Sequence, residues 1–331
     1  MLNTKFLFPS TVMIEPGNSC NLKCKMCEAG CSITTNKEKA FMTPEQLKII
    51  LNKLERYVVN IVFQGDCEPT LNPHLPELIK TASEYAKQIS IVSNGTLLNE
   101  RKVRSFIENG LSWFAISIDD HRPEVYNSIR IGADYEKLIE NLKVILKLRD
   151  TETPKVNVVV HKIVFPEDTP DTLKEFLRTF YCKFGVNKIV LVPLVKEGVI
   201  QINNWIEMRN RLENELLQEG IDINLRDFAS YPYKTLYKYC GTSLFFVNHK
   251  GYFSPCGMHS QTCKGFGNLL KEELEDIASK DSFINYHKFW SERRYNDDVP
   301  EICEGCFIFS GSYFSYCLDE GINAARVFSN K

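Results

Sequence analysis

Short apolar runs alternate along the first two thirds of the chain with longer segments in which apolar residues recur every three or four positions. The short runs are typical of buried strands, whereas Leu47, Ile50 and Leu54 show the spacing of an amphipathic helix. This alternation predicts an α/β fold with a parallel sheet and right-handed crossovers, and six units predict an open, partial (β/α)6 TIM-like barrel. The six predicted strands are residues 12–14, 60–63, 89–92, 113–118, 156–164 and 188–192.

Sequence signals at helix ends support these assignments. Thr43 is a suitable N-cap, Pro44 suits the first helical position, and Gln46 can complete a capping box. A further prediction concerns the helix expected over residues 173–184. Cys182 lies on its apolar face, so we expect this thiol to be buried in the core.

The remainder of the chain changes in character twice. Residues 195–239 look like a connection that contains one strong helix over residues 205–219. From Cys240 onward, cysteines, aromatic residues and turn residues dominate, and two apolar runs flank the turn 248–251 as in a β-hairpin. We therefore expect a barrel over residues 1–194, a connecting segment over 195–239 and a small cysteine-rich C-terminal domain over 240–331.

The composition is that of an ordinary globular protein. Of the 331 residues, 44% are hydrophobic and 25% are charged, and the net charge of −2 provides no attraction to nucleic acid or to a membrane surface. No apolar run approaches the length of a membrane span, and the N-terminus lacks the features of a signal peptide, so we expect a cytoplasmic protein without nucleic-acid or membrane partners. Twelve grouped cysteines in such a chain favour metal binding over disulfides.

Three of these cysteines, Cys20, Cys24 and Cys27, follow the first predicted strand directly. They are expected at the C-terminal ends of the strands, where α/β barrels and sheets place their chemistry. Three thiols leave one iron of a 4Fe–4S cube without a protein ligand, and that iron can bind another molecule. The alternative is a structural zinc site in which Cys31 is the fourth ligand.

This cysteine pattern and its neighbourhood resemble the radical S-adenosylmethionine (SAM) family. The resemblance implies that Cys20, Cys24 and Cys27 hold a 4Fe–4S cluster whose open iron is chelated by the amino and carboxylate groups of SAM. It further implies that an electron, supplied by a flavodoxin or ferredoxin-type donor, cleaves SAM to a 5′-deoxyadenosyl radical that abstracts a substrate hydrogen. Cys31 would close the open iron, so we interpret it as a structural residue near the site.

Residues at the ends of the next strands extend the resemblance. Relatives often have Gly-Gly-Glu-Pro after the second strand, with a backbone that helps to hold the amino group of SAM; Glu68 fits this pattern, whereas Cys67 replaces a glycine. In relatives, polar groups after the third and fourth strands contact the ribose and carboxylate of SAM, and the planar fork of Arg130 suits a carboxylate. Alternatively, the Ser and Asn residues only satisfy backbone groups at strand ends. The SAM contacts implied in this way are Glu68, Ser93, Asn94, Ser117 and Arg130.

The C-terminal cysteines resemble the SPASM extension of radical SAM enzymes, or its shorter twitch form. There, a hairpin pair and a later Cys-x-x-Cys pair bind an auxiliary 4Fe–4S cluster. A full SPASM extension has more cysteines and two auxiliary clusters, so we expect one cluster here; structural zinc on the same thiols is the alternative. The four ligands map to Cys240, Cys256, Cys303 and Cys306.

The resemblance implies an enzyme that acts on a sugar-like small molecule or a short peptide. If the auxiliary cluster accepts the second electron, the outcome is oxidation, by dehydrogenation or cross-linking, and this is our expectation. If a thiol returns a hydrogen to the substrate, the outcome is epimerisation. A non-catalytic iron–sulfur or zinc protein is the alternative from another class, but it does not explain the polar residues at the strand ends. The candidate hydrogen donors are Cys31, Cys67, Cys263 and Cys317.

Overall fold

The computed structural model describes residues 10–27, 38–152, 155–196, 199–200, 205–221, 245–255, 265–291 and 301. Within these residues, no helix is both long enough and apolar enough to cross a membrane. The strands are β1 (Thr11–Ile14), β2 (Lys23–Cys24), β3 (Asn60–Phe63), β4 (Gln88–Ser93), β5 (Trp113–Ser117), β6 (Arg130–Ile131), β7 (Asn157–Val164), β8 (Lys188–Pro193), β9 (Val195–Lys196), β10 (Val199–Ile200), β11 (Phe245–Val247), β12 (Tyr252–Ser254) and β13 (Gly267–Asn268). The α-helices are α1 (Pro44–Leu54), α2 (Leu75–Ser83), α3 (Glu100–Glu108), α4 (Pro123–Ile129), α5 (Tyr135–Thr151), α6 (Pro170–Leu177), α7 (Trp205–Gln218), α8 (Leu274–Ala278) and α9 (Asp281–Ser291).

Six parallel strands form the centre of the protein, in the order β1, β3, β4, β5, β7 and β8. Helices connect successive strands of this set, as the alternating pattern predicts. The expected partial (β/α)6 barrel is confirmed. Because these strands are parallel, the segments that follow β1, β3, β4 and β5 lie at one edge of the sheet. This is the edge at which catalytic residues are expected.

The two faces of the sheet differ in burial. On β3, Ile61 and Phe63 are fully buried, whereas the alternate residues Asn60 and Val62 are only half-buried. Ile61 and Phe63 belong to the same core cluster as the buried face of α1. Each such apolar side chain contributes roughly 1.5–3 kcal/mol on burial. The helix-facing side of the strands therefore carries the main core, and the opposite side lines the barrel interior.

The capping signals act as predicted at α1. The Thr43 side chain accepts a hydrogen bond from the Gln46 backbone N–H, and the Gln46 side chain accepts one from the Thr43 backbone N–H. Pro44 occupies the first helical turn, where its missing N–H costs nothing. The helix start is therefore encoded locally and positions Leu47, Ile50 and Leu54 against the sheet.

The hairpin of the C-terminal region joins the central sheet. Strand β11 pairs in parallel with β1, and β12 and β13 extend the sheet from β11 in antiparallel fashion, giving nine strands in all. The Glu15 N–H donates to the Val247 carbonyl at 2.9 Å, which continues this pairing beyond β1. The turn after β11 therefore lies at the same edge as the cysteines that follow β1.

The prediction for Cys182 is wrong. Helix α6 ends at Leu177. A π-helical segment, Arg178–Lys183, follows it directly, and Phe180 is the buried residue of that segment. Cys182 is exposed there. The wider π-helical turn changes which side chains face the core, so a spacing of 3.6 residues per turn no longer applies.

Candidate active site

The loop formed by residues 15–27, here called the cysteine loop, is held by backbone pairing. Its strand β2 pairs antiparallel with β6, so that Cys24 lies opposite Arg130. The Lys25 N–H donates to the Ile129 carbonyl at 3.0 Å, and the Cys27 N–H donates to the Cys24 carbonyl at 3.1 Å. These bonds fix the path of the loop between Cys20 and Cys27 and bring Arg130 next to it.

The thiols of the cysteine loop are largely shielded from water. Cys24 is buried, whereas Cys20 and Cys27 are half-buried. Burial raises the pKa of Cys24 to about 11, and burial likewise raises the pKa of Cys20. The Cys20 and Cys24 thiols are therefore protonated at neutral pH until a metal displaces the protons.

The donor set of the cysteine loop suits an iron–sulfur cluster. It consists of thiols, the ligands that such clusters require, and the charges of Cys20 and Cys27 both act on Cys24. The Arg130 Nη1 lies 4.0 Å from the Cys24 Sγ and can offset the negative charge of thiolates. Within the described ranges, no three Cys, His, Asp or Glu side chains stand in a metal-binding arrangement.

Glu68 connects three of the segments that meet at this edge. Its buried carboxylate accepts hydrogen bonds from the Thr70 N–H (3.1 Å), the Thr70 hydroxyl (2.6 Å), the Ser93 hydroxyl (2.7 Å) and the Asn94 N–H (2.8 Å). The Glu68 N–H donates to the Ser19 carbonyl at 2.8 Å. The Glu68 side chain therefore holds the ends of β3 and β4 together, and its backbone holds the cysteine loop.

The side chain of Asn94 reaches the cysteine loop directly. Its Nδ2 donates to the Asn21 Oδ1 at 2.9 Å, while its Oδ1 accepts from the Thr96 N–H and hydroxyl at 3.0 and 2.7 Å. These bonds agree with the interpretation that Ser93 and Asn94 satisfy neighbouring polar groups. Contact of Glu68, Ser93 and Asn94 with SAM stays a prediction, and the structure brings the three residues together.

Arg130 is held by Asp119, a fully buried residue whose role the sequence did not reveal. The Arg130 Nε donates to the Asp119 Oδ2 at 2.7 Å, and the Ile163 N–H donates to the Asp119 Oδ1 at 2.8 Å. Lys162, which is also buried, donates to the Asp119 carbonyl and to the Asp168 carboxylate. Lys162 lies within a strand that the sequence predicts to be buried. A buried ammonium group requires acceptor groups such as carboxylates or carbonyls, so this lysine signalled that such acceptors lie nearby.

Ser117 lies on the interior side of the barrel, beside a histidine. It pairs in register with His161 of β7, and both residues are half-buried. The pKa of His161 is lowered to about 4, first by burial and then by the charges of Lys188 and Arg130. The imidazole is therefore neutral at pH 7 and can act as a hydrogen-bond donor and acceptor to a molecule in the barrel.

Another buried carboxylate, Glu15, links the barrel to the C-terminal hairpin. Its Oε1 accepts from the Asp66 N–H at 2.9 Å, and its Oε2 lies 3.1 Å from the Nδ1 of His249 in the turn after β11. Burial raises the pKa of Glu15. A Cβ atom at Gly65 would lie 2.5 Å from the Glu15 Cγ, so the close approach of this loop requires glycine.

Cys67 lies beside the cysteine loop. The Gly17 N–H donates to its sulfur, and the charges of Glu15, Glu68 and Cys20 act on it, while burial raises its pKa well above the usual value. The other three candidate hydrogen donors, Cys31, Cys263 and Cys317, lie outside the described residues. The four predicted auxiliary ligands, Cys240, Cys256, Cys303 and Cys306, also lie outside them.

Comparison with known families decides the identity of this site. The sequence model of the radical SAM superfamily matches residues 14–180, and that of an iron–sulfur cluster-binding domain, SPASM, matches residues 239–307. The chain belongs to the radical SAM superfamily. Its cofactors are accordingly SAM, a SAM-binding 4Fe–4S cluster and an auxiliary iron–sulfur cluster.

Individual radical SAM relatives share part of the sequence. A probable GTP 3′,8-cyclase of Methanocaldococcus jannaschii is 28% identical over 219 residues, which cover 66% of this chain and 70% of the relative. A PqqA peptide cyclase of Rhizobium meliloti is 23% identical over 315 residues, which cover 91% of this chain and 80% of the relative. These identities do not determine which reaction this radical SAM protein performs.

A solved structure shares the fold. Streptococcus suis SuiB, bound to its precursor peptide SuiA, superposes with a TM-score of 0.67 at 15% identity, covering 84% of this chain. The chain spans 66% of the SuiB length. At this identity, the likeness concerns the fold alone.

Proposed function

We propose that this protein cleaves SAM reductively and abstracts a hydrogen atom from a short peptide or a sugar-like substrate, which is then oxidised. The observation that carries the proposal is the convergence, at one edge of the barrel, of the cysteine loop, the Glu68 network and Arg130. A non-catalytic iron–sulfur protein has no need of this arrangement.

In this proposal, Cys20, Cys24 and Cys27 hold the SAM-binding cluster, and Arg130 binds the SAM carboxylate. When bound, the cluster and SAM together supply an oxidant strong enough to remove a hydrogen atom from an unactivated C–H bond. The Asp119 carboxylate accepts a hydrogen bond from the Arg130 Nε, so the guanidinium is oriented before SAM binds. Glu68 keeps the ends of β3 and β4 at a fixed spacing from the cysteine loop. The protein thereby orients the cofactor, while the radical chemistry belongs to the cofactor itself.

The peptide part of the proposal draws on the relatives. The structure of SuiB contains a bound precursor peptide, and the Rhizobium relative is a peptide cyclase. The Methanocaldococcus relative, by contrast, is a probable GTP cyclase. The neutral His161 and Ser117 offer hydrogen bonds inside the barrel without adding charge. Such groups suit the amide or hydroxyl groups of a peptide or sugar.

In the same proposal, the auxiliary cluster accepts the second electron of the oxidation. Its ligands are Cys240, Cys256, Cys303 and Cys306, which all fall within the matched SPASM segment. The parallel pairing of β11 with β1 brings the hairpin of this segment to the catalytic edge of the barrel.

Epimerisation is the second candidate, and one observation favours it. Cys67 lies beside the cysteine loop, where the charges of Cys20 and Glu68 act on its thiol. Its raised pKa keeps the thiol protonated, as a hydrogen-atom donor requires. The auxiliary site has four predicted cysteine ligands for a cluster that would accept the second electron of an oxidation. Oxidation is therefore our first candidate.

The test of SAM cleavage needs no knowledge of the substrate. The anaerobically reconstituted protein is mixed with dithionite and SAM, and 5′-deoxyadenosine is measured by chromatography. We expect its formation in the wild type and in the Cys182→Ala control, but not in Cys24→Ala, which removes a ligand from the cysteine loop. Absence of 5′-deoxyadenosine from wild-type protein with full iron content would refute the proposal.

A further inference from the structure

Tyr126 carries a buried hydroxyl group that no residue of the described chain satisfies. The side chain is fully buried on α4, and its Oη has no hydrogen-bond partner in the described part of the protein. Its ring packs edge-on against Tyr135, with the ring centroids 5.4 Å apart. The neighbouring tyrosine differs in this respect, because the Tyr135 hydroxyl donates to the His121 carbonyl at 2.8 Å.

The unsatisfied hydroxyl is not explained by packing. Burial of a hydroxyl without a hydrogen bond opposes folding, and a phenylalanine at position 126 would fill the same space without that cost. Unsatisfied buried polar groups are rare in folded proteins, and a binding function is one reason why they persist. The hydroxyl of Tyr126 is therefore a donor that is available to a molecule absent from the polypeptide itself.

The position of Tyr126 indicates which molecule this is. Tyr126 lies one helical turn before Arg130, whose N–H donates to the Tyr126 carbonyl at the end of α4. Residues i and i+4 of a helix lie on the same face. The charges of Arg130, Asp119, Cys24 and Glu68 all act on the Tyr126 hydroxyl, so it lies among the residues assigned above to the cofactor.

We propose that the Tyr126 hydroxyl donates a hydrogen bond to the carboxylate of bound SAM and shares this carboxylate with Arg130. The inference rests on the proposed function, in which Arg130 binds that carboxylate. Burial raises the pKa of Tyr126, so the phenol keeps its proton at neutral pH and remains a donor. A hydrogen bond from a neutral phenol to a carboxylate is charge-assisted and stronger than one between neutral groups.

The substitution Tyr126→Phe tests this role, since it removes only the hydroxyl. Isothermal titration calorimetry of the anaerobically reconstituted protein with SAM gives the affinity, and thermal unfolding of the same preparation without SAM gives the stability. We expect the Kd for SAM to rise about 10- to 100-fold, as for the loss of one hydrogen bond to a charged group. The unfolding midpoint without SAM should be unchanged or higher, because an unsatisfied hydroxyl is removed.

Tyr135→Phe is the matched control. It removes a hydroxyl that already has a protein partner, so we expect a lower unfolding midpoint and an unchanged affinity for SAM. Failure of the wild type to bind SAM would overturn the proposed function as a whole, whereas equal affinities of wild type and Tyr126→Phe would overturn the role of Tyr126 alone.

Two further outcomes would also overturn the assignment. A markedly lower stability of Tyr126→Phe without SAM would mean that the hydroxyl bonds to the protein. An unchanged affinity for SAM, together with a shifted midpoint potential of the reconstituted cluster, would assign the hydroxyl to the sulfur of Cys24 instead.

Discussion

The carboxylate of Glu15 and the imidazole of His249 are in contact, with the Oε2 and Nδ1 atoms 3.1 Å apart, although 234 positions separate the two residues in the sequence. Glu15 follows β1, and His249 follows β11, the parallel neighbour of β1. The other oxygen of Glu15 holds the Asp66 N–H. One carboxylate thus joins the C-terminal hairpin to the loop that carries Cys67 and Glu68.

Replacement of His249 tests this connection. His249→Leu leaves the buried Glu15 carboxylate without one partner, and we expect a loss of about 1–3 kcal/mol in the free energy of unfolding. His249→Asn should retain most of the stability, because the side-chain amide nitrogen can replace Nδ1 as a donor to Glu15. Urea unfolding of both variants measures the difference. Equal losses in Leu and Asn variants would show that the hydrogen bond contributes nothing.

The pH dependence of stability should change in Glu15→Gln. The pKa of Glu15 is raised above its ordinary value of 4.5, mainly by burial and further by the charge of Asp66, while His249 and the Asp66 N–H act in the opposite direction; Cys67 is a further titratable neighbour. A carboxyl group with a raised native pKa stabilises the protein at low pH, and this contribution is lost as the pH rises through the native pKa. Relative to wild type, Glu15→Gln should therefore gain stability as the pH rises from about 4.5 through the native pKa of Glu15. Urea unfolding across this range measures it, and parallel curves for the two proteins would contradict the expectation.

Asp119 is expected to be the most sensitive position near Arg130. Asp119→Ala leaves the Arg130 guanidinium buried without its carboxylate, and the loss of one partner from a buried ion pair costs about 3–5 kcal/mol. Denaturant unfolding measures this cost, and SAM titration should show weaker binding because Arg130 is no longer oriented. Glu152→Gln is the control, since the Arg104–Glu152 pair is solvent-exposed and its loss should change neither quantity appreciably. Similar effects of the two substitutions would argue against a special role for Asp119.

Iron content should distinguish the two cluster sites. After anaerobic reconstitution, we expect about eight irons per chain in wild type, from two four-iron clusters, and about four in either Cys20→Ala or Cys303→Ala. Cys182→Ala, at an exposed thiol, should retain about eight. Four irons together with one zinc in the wild type would instead support structural zinc at the C-terminal site.

The mass of the product should reveal the direction of the reaction once a substrate is found. Oxidation removes two hydrogen atoms, so we expect a loss of about two mass units. Epimerisation leaves the mass unchanged in ordinary water but adds about one unit in deuterated water, because the donor thiol exchanges its hydrogen. A gain of one unit that disappears in Cys67→Ala would replace oxidation by epimerisation and identify Cys67 as the donor.

The sequence predicted the architecture well because its signals are local. All six central strands occur where short apolar runs predicted them, and the capping box at Thr43 forms as expected. The parallel pairing of β11 with β1 could not be predicted, since no local pattern encodes a contact between such distant segments. The π-helical segment that exposes Cys182 likewise departs from the regular spacing on which the prediction relied.

The candidate site was predictable only in its outline. The resemblance to a family indicated Arg130 and Glu68. It did not indicate Asp119 and Lys162, whose roles depend on buried hydrogen bonds. It did not indicate Tyr126 either, whose role depends on a buried hydroxyl without a partner in the described residues. Three-dimensional contacts of this kind leave little trace in one sequence. The contacts of Ser93, Asn94 and Ser117 with SAM remain predictions for the same reason.

Because β11 pairs directly with β1, residues 195–239 do not set the distance between the C-terminal hairpin and the cysteine loop that follows β1. Backbone hydrogen bonds between neighbouring strands fix that spacing at the scale of a sheet, about 4.8 Å from strand to strand. The connecting segment can therefore gain or lose residues without displacing the turn that carries His249 from the loop that carries Glu15. We expect evolution to have varied its length freely while keeping the register of β1 and β11 unchanged.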